Sequence, residues 1–347
     1  MLYHDKNPHG GDRYRRPIRI DFSANTNPLG TPESVKEAVK RSCDRLDHYP
    51  DPYCQELVRG IAEKEQVDPD WVLCGNGAAE VIDLYMRALS PRHALEAVPT
   101  FSEYERSLKV VGGRLEKILL DADRNFAWTR ALTRELEARK PDLLLLCNPN
   151  NPTGRLLPPV ELDCLLCLCR EQGTRVFLDE CFMDLADSDQ SRKKDLASFS
   201  GLFILKAFTK NFGMAGLRVG YGLSSDEKLL QKMSRQGQPW NLSLPAQLGA
   251  CAALKEDAFL LRAKQMIREE RKNLQAGLEK AGFLVCPSQT NFLLFYGPTG
   301  LDRELLEEGI AIRNCANYDG LGFGWYRIAV RRPEENRELL LALERRK

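Results

Sequence analysis

Short apolar runs separated by helical stretches set the pattern of this chain. The runs lie at 143–147, 176–178, 202–205 and 219–223, and another at 72–74 precedes a glycine turn and a helical run over 78–89. Continuous apolar runs of this length predict strands that are buried on both faces. Because strands alternate with helices, we predict an α/β fold with a mainly parallel sheet. We expect the active site at the carboxyl ends of the strands.

The two ends of the chain follow other patterns. Residues 1–30 are rich in Gly, Pro, Asn and Arg and predict an irregular arm with a short strand within 18–22. Thr31 predicts the N-cap of a helix that runs to about residue 46. A long helical pattern over 245–280, interrupted near Glu256, leads to apolar runs that alternate with short helices and predict a smaller α+β domain. These runs lie at 283–285, 292–295, 310–313 and 326–330.

The length of 347 residues exceeds what one small core needs and suits two closely packed domains. We predict an arm over 1–30, a joining helix over 31–45, a large domain over 46–235, and a small C-terminal domain with its connecting helix over 236–347. The sequence contains no internal repeat, low-complexity tract or flexible linker.

Composition and charge narrow the functional classes. With 50 Lys and Arg against 49 Asp and Glu, the formal net charge is +1, so no global field attracts the chain to nucleic acid or to a membrane. No apolar run approaches the length of a membrane span, and the first residues carry no apolar leader. We therefore expect a cytoplasmic protein that binds neither nucleic acid nor membrane.

The eleven cysteines are scattered and odd in number, which favours reduced thiols over disulfides. Cys164, Cys167 and Cys169 lie close together and superficially resemble a metal site. They belong to an apolar helical run with no second cysteine pair and no nearby histidine. We predict buried thiols here and no metal ion.

Three charged residues indicate a cofactor. Lys210 lies in the segment FTKNFGMAGLRVG, which also contains Arg218, and Asp179 ends an apolar strand upstream. A lysine amine can form a Schiff base with pyridoxal phosphate, and a guanidinium can neutralise the phosphate. A strand-end carboxylate can keep the pyridine nitrogen protonated, so that the ring accepts electrons.

Three further segments add polar and aromatic groups to this set. The turn at 75–77 precedes a helix whose first amides, at Ala78 and Ala79, are suited to bind a phosphate. Asn151 lies between two prolines after the strand at 143–147 and can donate its amide to a phenolate oxygen. Phe101, in a Pro-Thr-Phe-Ser segment, can stack on a pyridine ring.

In this order and combination, the motifs resemble those of fold-type I pyridoxal phosphate enzymes, the class I/II aminotransferase superfamily, over nearly the whole chain. The resemblance implies a seven-stranded large-domain sheet with helices on both faces and a smaller α+β domain. Segments 49–52, 149–154 and 215–218 are similar to the histidinol-phosphate aminotransferase branch.

The resemblance also implies a role for each matching residue. It makes Lys210 the Schiff-base lysine, Asp179 the partner of the ring nitrogen, Asn151 the phenolate contact and Phe101 the stacking ring. The cofactor phosphate would be held by Thr209, Arg218, Ala78 and Ala79. Tyr49 would reach the phosphate of the neighbouring subunit, which implies a homodimer with shared active sites.

One departure points to a second branch. Phe182 stands where that aminotransferase branch carries tyrosine, so a hydrogen bond to the cofactor phenolate is lost. Segments 9–12, 21–30, 238–241, 312–318 and 326–331 resemble the L-threonine O-3-phosphate decarboxylase branch. That resemblance assigns the substrate carboxylate to Arg327 and the substrate phosphate to Arg313, His9 and Asn25, with Asn27 and Arg331 as further candidates.

The resemblance therefore implies decarboxylation of L-threonine O-3-phosphate to (R)-1-amino-2-propanol O-2-phosphate, a step of cobalamin biosynthesis. L-Serine O-phosphate decarboxylase and histidinol-phosphate aminotransferase remain alternatives. A non-catalytic regulator that binds pyridoxal phosphate is a third class. It would need a partner-binding region, and the sequence contains no basic recognition helix.

Overall fold

The structure is a computed structural model that describes residues 9–15 and 17–346. Residues 1–8, part of the predicted arm, and Arg16 lie outside the described residues. The strands are Ile20–Asp21 (β1), Val72–Gly75 (β2), His93–Val98 (β3), Arg114–Leu119 (β4), Leu143–Cys147 (β5), Arg175–Asp179 (β6), Leu202–Ala207 (β7), Gly220–Leu223 (β8), Leu284–Val285 (β9), Phe292–Tyr296 (β10), Ile310–Ala311 (β11), Arg313–Asn314 (β12) and Trp325–Ala329 (β13).

The helices enclose these strands and connect most of them. They are Glu33–Ser42 (α1), Gln55–Glu65 (α2), Ala78–Leu89 (α3), Glu103–Val110 (α4), Arg130–Arg139 (α5), Pro159–Gln172 (α6), Phe208–Asn211 (α7), Glu227–Gln236 (α8), Leu244–Ala253 (α9), Asp257–Lys280 (α10), Leu301–Glu307 (α11) and Pro333–Glu344 (α12). No helix among the described residues is long and apolar enough to cross a membrane.

A seven-stranded sheet in the order β2-β8-β7-β6-β5-β3-β4 forms the centre of the fold. All neighbouring strands in it are parallel except β8, which runs antiparallel to both β2 and β7. The prediction of a mainly parallel sheet is confirmed.

Helices cover both faces of this sheet because its strands are apolar on both sides. In β5, Leu144 and Leu146 pack into the core that contains α2 and α6. Leu143, Leu145 and Cys147 pack into the core that contains α3 and α8. Successive strand side chains point to opposite faces, so one continuous apolar run supplies two cores.

The C-terminal part of the chain forms a second, antiparallel sheet in the order β12-β13-β10-β9. The arm joins this part: β1 pairs in parallel with β11, and the carbonyl of Phe22 accepts a hydrogen bond from the amide of Ala329 at 2.8 Å. The arm is therefore built into the structure near the carboxyl end of β13. The domain boundaries given above stay a prediction.

Several local predictions were wrong for identifiable reasons. Thr31 is not an N-cap, because its hydroxyl donates to the carbonyl of Gly213 at 2.8 Å and the helix begins two residues later. The run at 310–313 is not one strand, since Ile310–Ala311 pairs with β1 and Arg313–Asn314 pairs with β13. The interruption near Glu256 is confirmed, because α9 and α10 are separate helices there.

The thiol prediction on α6 was correct for only one cysteine. Cys169 is buried, whereas Cys164 and Cys167 are exposed. A helix that packs on a sheet turns one side to solvent, and the spacing of these two residues places them on that side. Within 9–15 and 17–346, no three His, Cys, Asp or Glu residues form a group that could hold a metal ion.

Candidate active site

One cavity collects nearly all of the predicted site residues. It lies at the carboxyl ends of β5, β6 and β7, where the active site was expected. The predicted residues that line it are His9, Asn25, Ala78, Ala79, Phe101, Asn151, Asp179, Thr209, Lys210, Arg218, Arg313 and Arg327. Their roles remain predictions, but their proximity is a property of the fold.

Lys210 projects into this cavity from α7, the single helical turn that begins directly after β7. Its Nζ lies 6.0 Å from the centre of the Phe182 ring. Burial lowers the pKa of the Lys210 amine to about 8, and the positive charge of Arg327 contributes to the shift. Near neutral pH the free amine therefore has a sizeable nucleophilic, uncharged fraction.

Asp179 is the last residue of β6 and is 5% exposed. Its Oδ1 accepts a hydrogen bond from the amide of Cys181 at 2.8 Å, and its Oδ2 accepts one from the hydroxyl of Tyr104 at 2.5 Å. Burial raises the pKa of the Asp179 carboxyl, and these two donors oppose that change. The group can therefore face a protonated ring nitrogen as its counter-ion.

Several hydrogen-bond donors lie close together between the start of α3 and Arg218. Gly77 precedes α3 with a φ of 80°, and a Cβ built on it would lie 2.3 Å from a guanidinium nitrogen of Arg218. Ala78 and Ala79 supply the first amides of the helix, and buried Thr209 adds a hydroxyl. Helix amides, a hydroxyl and a guanidinium are typical ligands of a phosphate.

Arg327, on β13, forms the buried cationic end of the cavity at 5% exposure. Its guanidinium donates to the side-chain oxygen of Asn151, to the carbonyl of Ser23 at 2.9 Å and to the hydroxyl of Tyr318 at 3.4 Å. Its Nε has no hydrogen-bond partner in the described part of the chain. A buried guanidinium with an unused donor is suited to bind a carboxylate.

A second cationic group lies beside it. Arg313 and Arg327 are direct neighbours across β12 and β13. Arg313 donates to the side chain of Asn317 at 2.7 Å and lies 5.3 Å from the ring centre of Tyr318. Tyr318 thus contacts both guanidinium groups, and the cavity offers two cationic positions.

The arm closes this side of the cavity. His9 contacts Glu103 through Nε2 and Oε1 at 2.7 Å, and its ring lies 5.5 Å from that of Phe101. Asn25 is 3% exposed, and its Oδ1 has no hydrogen-bond partner within residues 9–15 and 17–346. A buried unpaired amide oxygen at a cavity wall indicates a place for a ligand group.

Three predicted residues lie elsewhere. The Asn27 amide donates to the carbonyl of Asn211 at 2.7 Å, and its backbone N–H donates to the carbonyl of Lys210 at 3.0 Å, so it supports the lysine turn from outside the cavity. Arg331 pairs with Glu335 at 2.9 Å. Tyr49 is 79% exposed and packs against Trp240 at a ring distance of 4.9 Å.

The residues present fit pyridoxal phosphate. A buried amine of lowered pKa suits its aldehyde, and a buried carboxylate suits its ring nitrogen. The cradle of Gly77 and Arg218 suits its phosphate. Sequence reasoning missed Glu103 and Tyr104, the first two residues of α4, which closely follow Phe101.

Comparison with known proteins identifies the family. The family described as Aminotransferase class I and II matches residues 17–343. A threonine-phosphate decarboxylase of Salmonella typhimurium strain LT2 is 36% identical over 330 residues, which is 93% of this chain and 90% of that protein.

Solved structures agree with this result. A histidinol-phosphate aminotransferase from Clostridium acetobutylicum superposes with a TM-score of 0.87 at 30% identity, over 94% of this chain and 100% of that one. An L-threonine-O-3-phosphate decarboxylase from Porphyromonas gingivalis superposes with a TM-score of 0.83 at 26% identity, over 94% of this chain and 98% of that one. The chain therefore belongs to the aminotransferase class I and II family, and pyridoxal 5'-phosphate is its cofactor.

Proposed function

We propose that this protein decarboxylates L-threonine O-3-phosphate to (R)-1-amino-2-propanol O-2-phosphate, a reaction of cobalamin biosynthesis. The observation that carries the proposal is the pair of cationic positions at Arg327 and Arg313, joined through Tyr318. A substrate with both a carboxylate and a phosphate needs two such positions. The similarity to the Salmonella decarboxylase supports the same reaction.

In this proposal different side chains bind the carboxylate and the phosphate of the substrate. Arg327 binds the substrate carboxylate, while Arg313, His9 and Asn25 bind its phosphate. When bound, pyridoxal phosphate supplies an electron sink for the bond that breaks at Cα. The two anion contacts would fix the orientation of the substrate and so determine which of its Cα bonds breaks. Asp179 would stabilise the protonated ring nitrogen.

Phe182 supports a reaction other than amino transfer. Its buried ring contacts Phe292 edge-on at 5.0 Å and carries no hydroxyl for the cofactor phenolate. Amino transfer by the same residues would require Lys210 to remove the Cα proton. Decarboxylation instead requires the carboxylate held by Arg327 to stand out of the ring plane.

Two other substrates define the alternatives. Serine phosphate is one methyl group smaller, a difference worth only about 1–3 kcal/mol in an apolar pocket. Histidinol phosphate is favoured by the superposition with the Clostridium aminotransferase. That reaction needs a keto acid as acceptor and releases no carbon dioxide.

We also propose a homodimer in which Tyr49 completes the partner's active site. Tyr49 does not line the cavity of its own subunit and is largely exposed next to Trp240. An exposed pair of large aromatic side chains is typical of a subunit interface. This arrangement would bring the Tyr49 hydroxyl to the cofactor phosphate of the other subunit.

The proposal is tested with purified protein loaded with pyridoxal phosphate. It is incubated separately with L-threonine phosphate, with L-serine phosphate, and with histidinol phosphate plus 2-oxoglutarate, and carbon dioxide and amine products are measured. We expect carbon dioxide and aminopropanol phosphate from the first substrate, without any keto acid, and no product from Lys210→Ala. Turnover that depends on 2-oxoglutarate and releases no gas would contradict the proposal.

A further inference from the structure

Tyr104 connects two groups of the site without lining the cavity itself. It lies on α4 with no exposed surface, and its hydroxyl donates to Oδ2 of Asp179 at 2.5 Å. Its ring meets Phe101 edge-on, with 5.7 Å between the centres and an angle of 79°. One buried side chain therefore contacts both the carboxylate and the aromatic ring that are predicted to touch the cofactor ring.

The hydroxyl matters because Asp179 has few donors. The Cys181 amide and the Tyr104 hydroxyl donate to its carboxylate, and the Cys181 thiol, a weaker donor, adds a further hydrogen bond. Burial favours the neutral carboxyl, and each donor favours the anion. Burial also raises the pKa of the Tyr104 phenol well above its usual value, so Tyr104 keeps its proton and acts as the donor.

We propose that Tyr104 is a positioning residue that holds Asp179 as an anion directed at the cofactor's pyridine nitrogen. The inference rests on the role proposed above for Asp179, and it does not depend on whether the substrate loses carbon dioxide or an amino group. Without the hydroxyl, the buried carboxylate loses the short hydrogen bond to its Oδ2 and takes up a proton more readily. The pyridine nitrogen then loses its anionic partner.

Tyr85 provides a matched control. It is also fully buried, and its ring lies 4.9 Å from Phe177, which Tyr104 contacts at 5.9 Å. Its hydroxyl has no hydrogen-bond partner in the part of the chain that the structure describes. Tyr85→Phe therefore removes the same atom from the same core without affecting Asp179.

The test uses the full chain loaded with pyridoxal phosphate that carries ¹⁵N in its ring. The ¹⁵N signal reports the protonation of the ring nitrogen, and dialysis gives the dissociation constant of the cofactor. In Tyr104→Phe we expect the signal to move toward that of unprotonated pyridine and the dissociation constant to rise about tenfold. Tyr85→Phe is expected to change neither value.

Asp179→Asn distinguishes a failure of the role proposed for Asp179 from a failure of the role proposed for Tyr104. If it leaves the signal unchanged, the role proposed for Asp179 fails, and the inference fails with it. If Asp179→Asn moves the signal and Tyr104→Phe does not, Asp179 keeps its role and the inference about Tyr104 is overturned. If Tyr104→Phe does not fold, 3-fluorotyrosine is placed at position 104 instead, where its hydroxyl is a stronger donor on a side chain of nearly equal size. An unchanged dissociation constant of the cofactor would then overturn the inference.

Discussion

Lys210 and Asp179 have opposite pKa shifts that share one cause. Burial penalises the charged form of each group, so it lowers the pKa of the amine and raises that of the carboxyl. The two groups then differ in their neighbours. Hydrogen bonds to Asp179 favour its charged form and oppose the shift, whereas Arg327 repels a charge on Lys210. The cavity therefore combines a carboxylate whose hydrogen bonds favour its anion with an amine of lowered pKa, as the roles proposed above for these residues require.

The Lys210 shift predicts how the protein without cofactor takes up pyridoxal phosphate. Only the neutral amine attacks an aldehyde, and its fraction rises with pH up to the pKa of about 8. We expect the rate of covalent attachment, followed by absorbance, to rise about tenfold per pH unit below that value and to level off above it.

Arg327→Gln tests whether Arg327 contributes to the lowered pKa of Lys210. This change removes a positive charge that lowers the pKa of Lys210, so the inflection in the pH dependence of the attachment rate should move to higher pH. Arg345→Gln, at an exposed ion pair with Glu308, should leave it in place. An inflection near the ordinary lysine pKa in the unaltered protein would contradict this account.

The sequence could predict the residues whose type and position are both unusual. Lys210, Asp179 and Arg218 stand in motifs, and all three line the cavity. Asn27 has a similar motif but supports the lysine turn from outside, because side-chain direction depends on contacts that a motif does not contain. Tyr104 was missed for a related reason: its importance comes from a carboxylate 75 positions away in the sequence.

At the scale of elements, the start of α3 and the Arg218 segment form one unit. Gly77 leaves room for the guanidinium of Arg218, and the first turn of the helix lies next to it. Gly220 is packed equally closely, since a Cβ there would lie 2.5 Å from the amide of Ala78. Gly77 before α3 and Gly220 at the start of β8 therefore allow backbone amides and a guanidinium to converge.

Gly77→Ala tests this unit. Gly77 and Gly112 both have positive φ, so alanine at either position should lower the free energy of unfolding by about 1 kcal/mol or more, with the larger effect at Gly77, whose φ of 80° and ψ of 164° only glycine adopts readily. The new methyl group at Gly77 displaces Arg218, whereas nothing lies within 4 Å of a Cβ at Gly112. We expect only Gly77→Ala to raise the dissociation constant of the cofactor, by about tenfold. Equal effects of both variants on cofactor binding would disprove the specific role of Gly77.

The apolar pattern predicted strands best where every residue of the strand is buried. β5 is buried at every position and was predicted with its observed bounds. β3 and β4 were missed because polar residues interrupt their apolar pattern. β4 lies at the sheet edge, and Glu96 of β3 lies opposite Lys117 of β4 in the strand register. An apolar pattern identifies strands without polar residues, including β2 at the opposite edge of the sheet, but it fails where polar side chains interrupt the strand.

At the scale of the whole molecule, the cavity is assembled from parts that are far apart in sequence. Asp179 ends a strand of the seven-stranded sheet and Lys210 follows another. Arg327 and Arg313 come from the four-stranded sheet, and Asn25 comes from the arm. Of the residues proposed above to bind substrate, Arg327 and Arg313 thus lie on a different sheet from the strand that precedes Lys210.

The shared active site of the proposed homodimer can be tested by mixing subunits. Lys210→Ala removes the amine, and Tyr49→Phe removes the hydroxyl proposed to reach the partner's cofactor phosphate. In a mixed dimer, one site then combines both changes, and the other combines an intact Lys210 with an intact Tyr49.

Equal amounts of the two variants, unfolded together and refolded, should recover about a quarter of the unaltered activity, because half of the dimers are mixed and each has one intact site. Each variant treated alone gives the baseline. If Tyr49 instead served its own subunit, no intact site would form in any dimer, and the mixture would be no more active than the average of the two variants. The measurement therefore decides whether this exposed tyrosine belongs to its own subunit's active site or to its partner's.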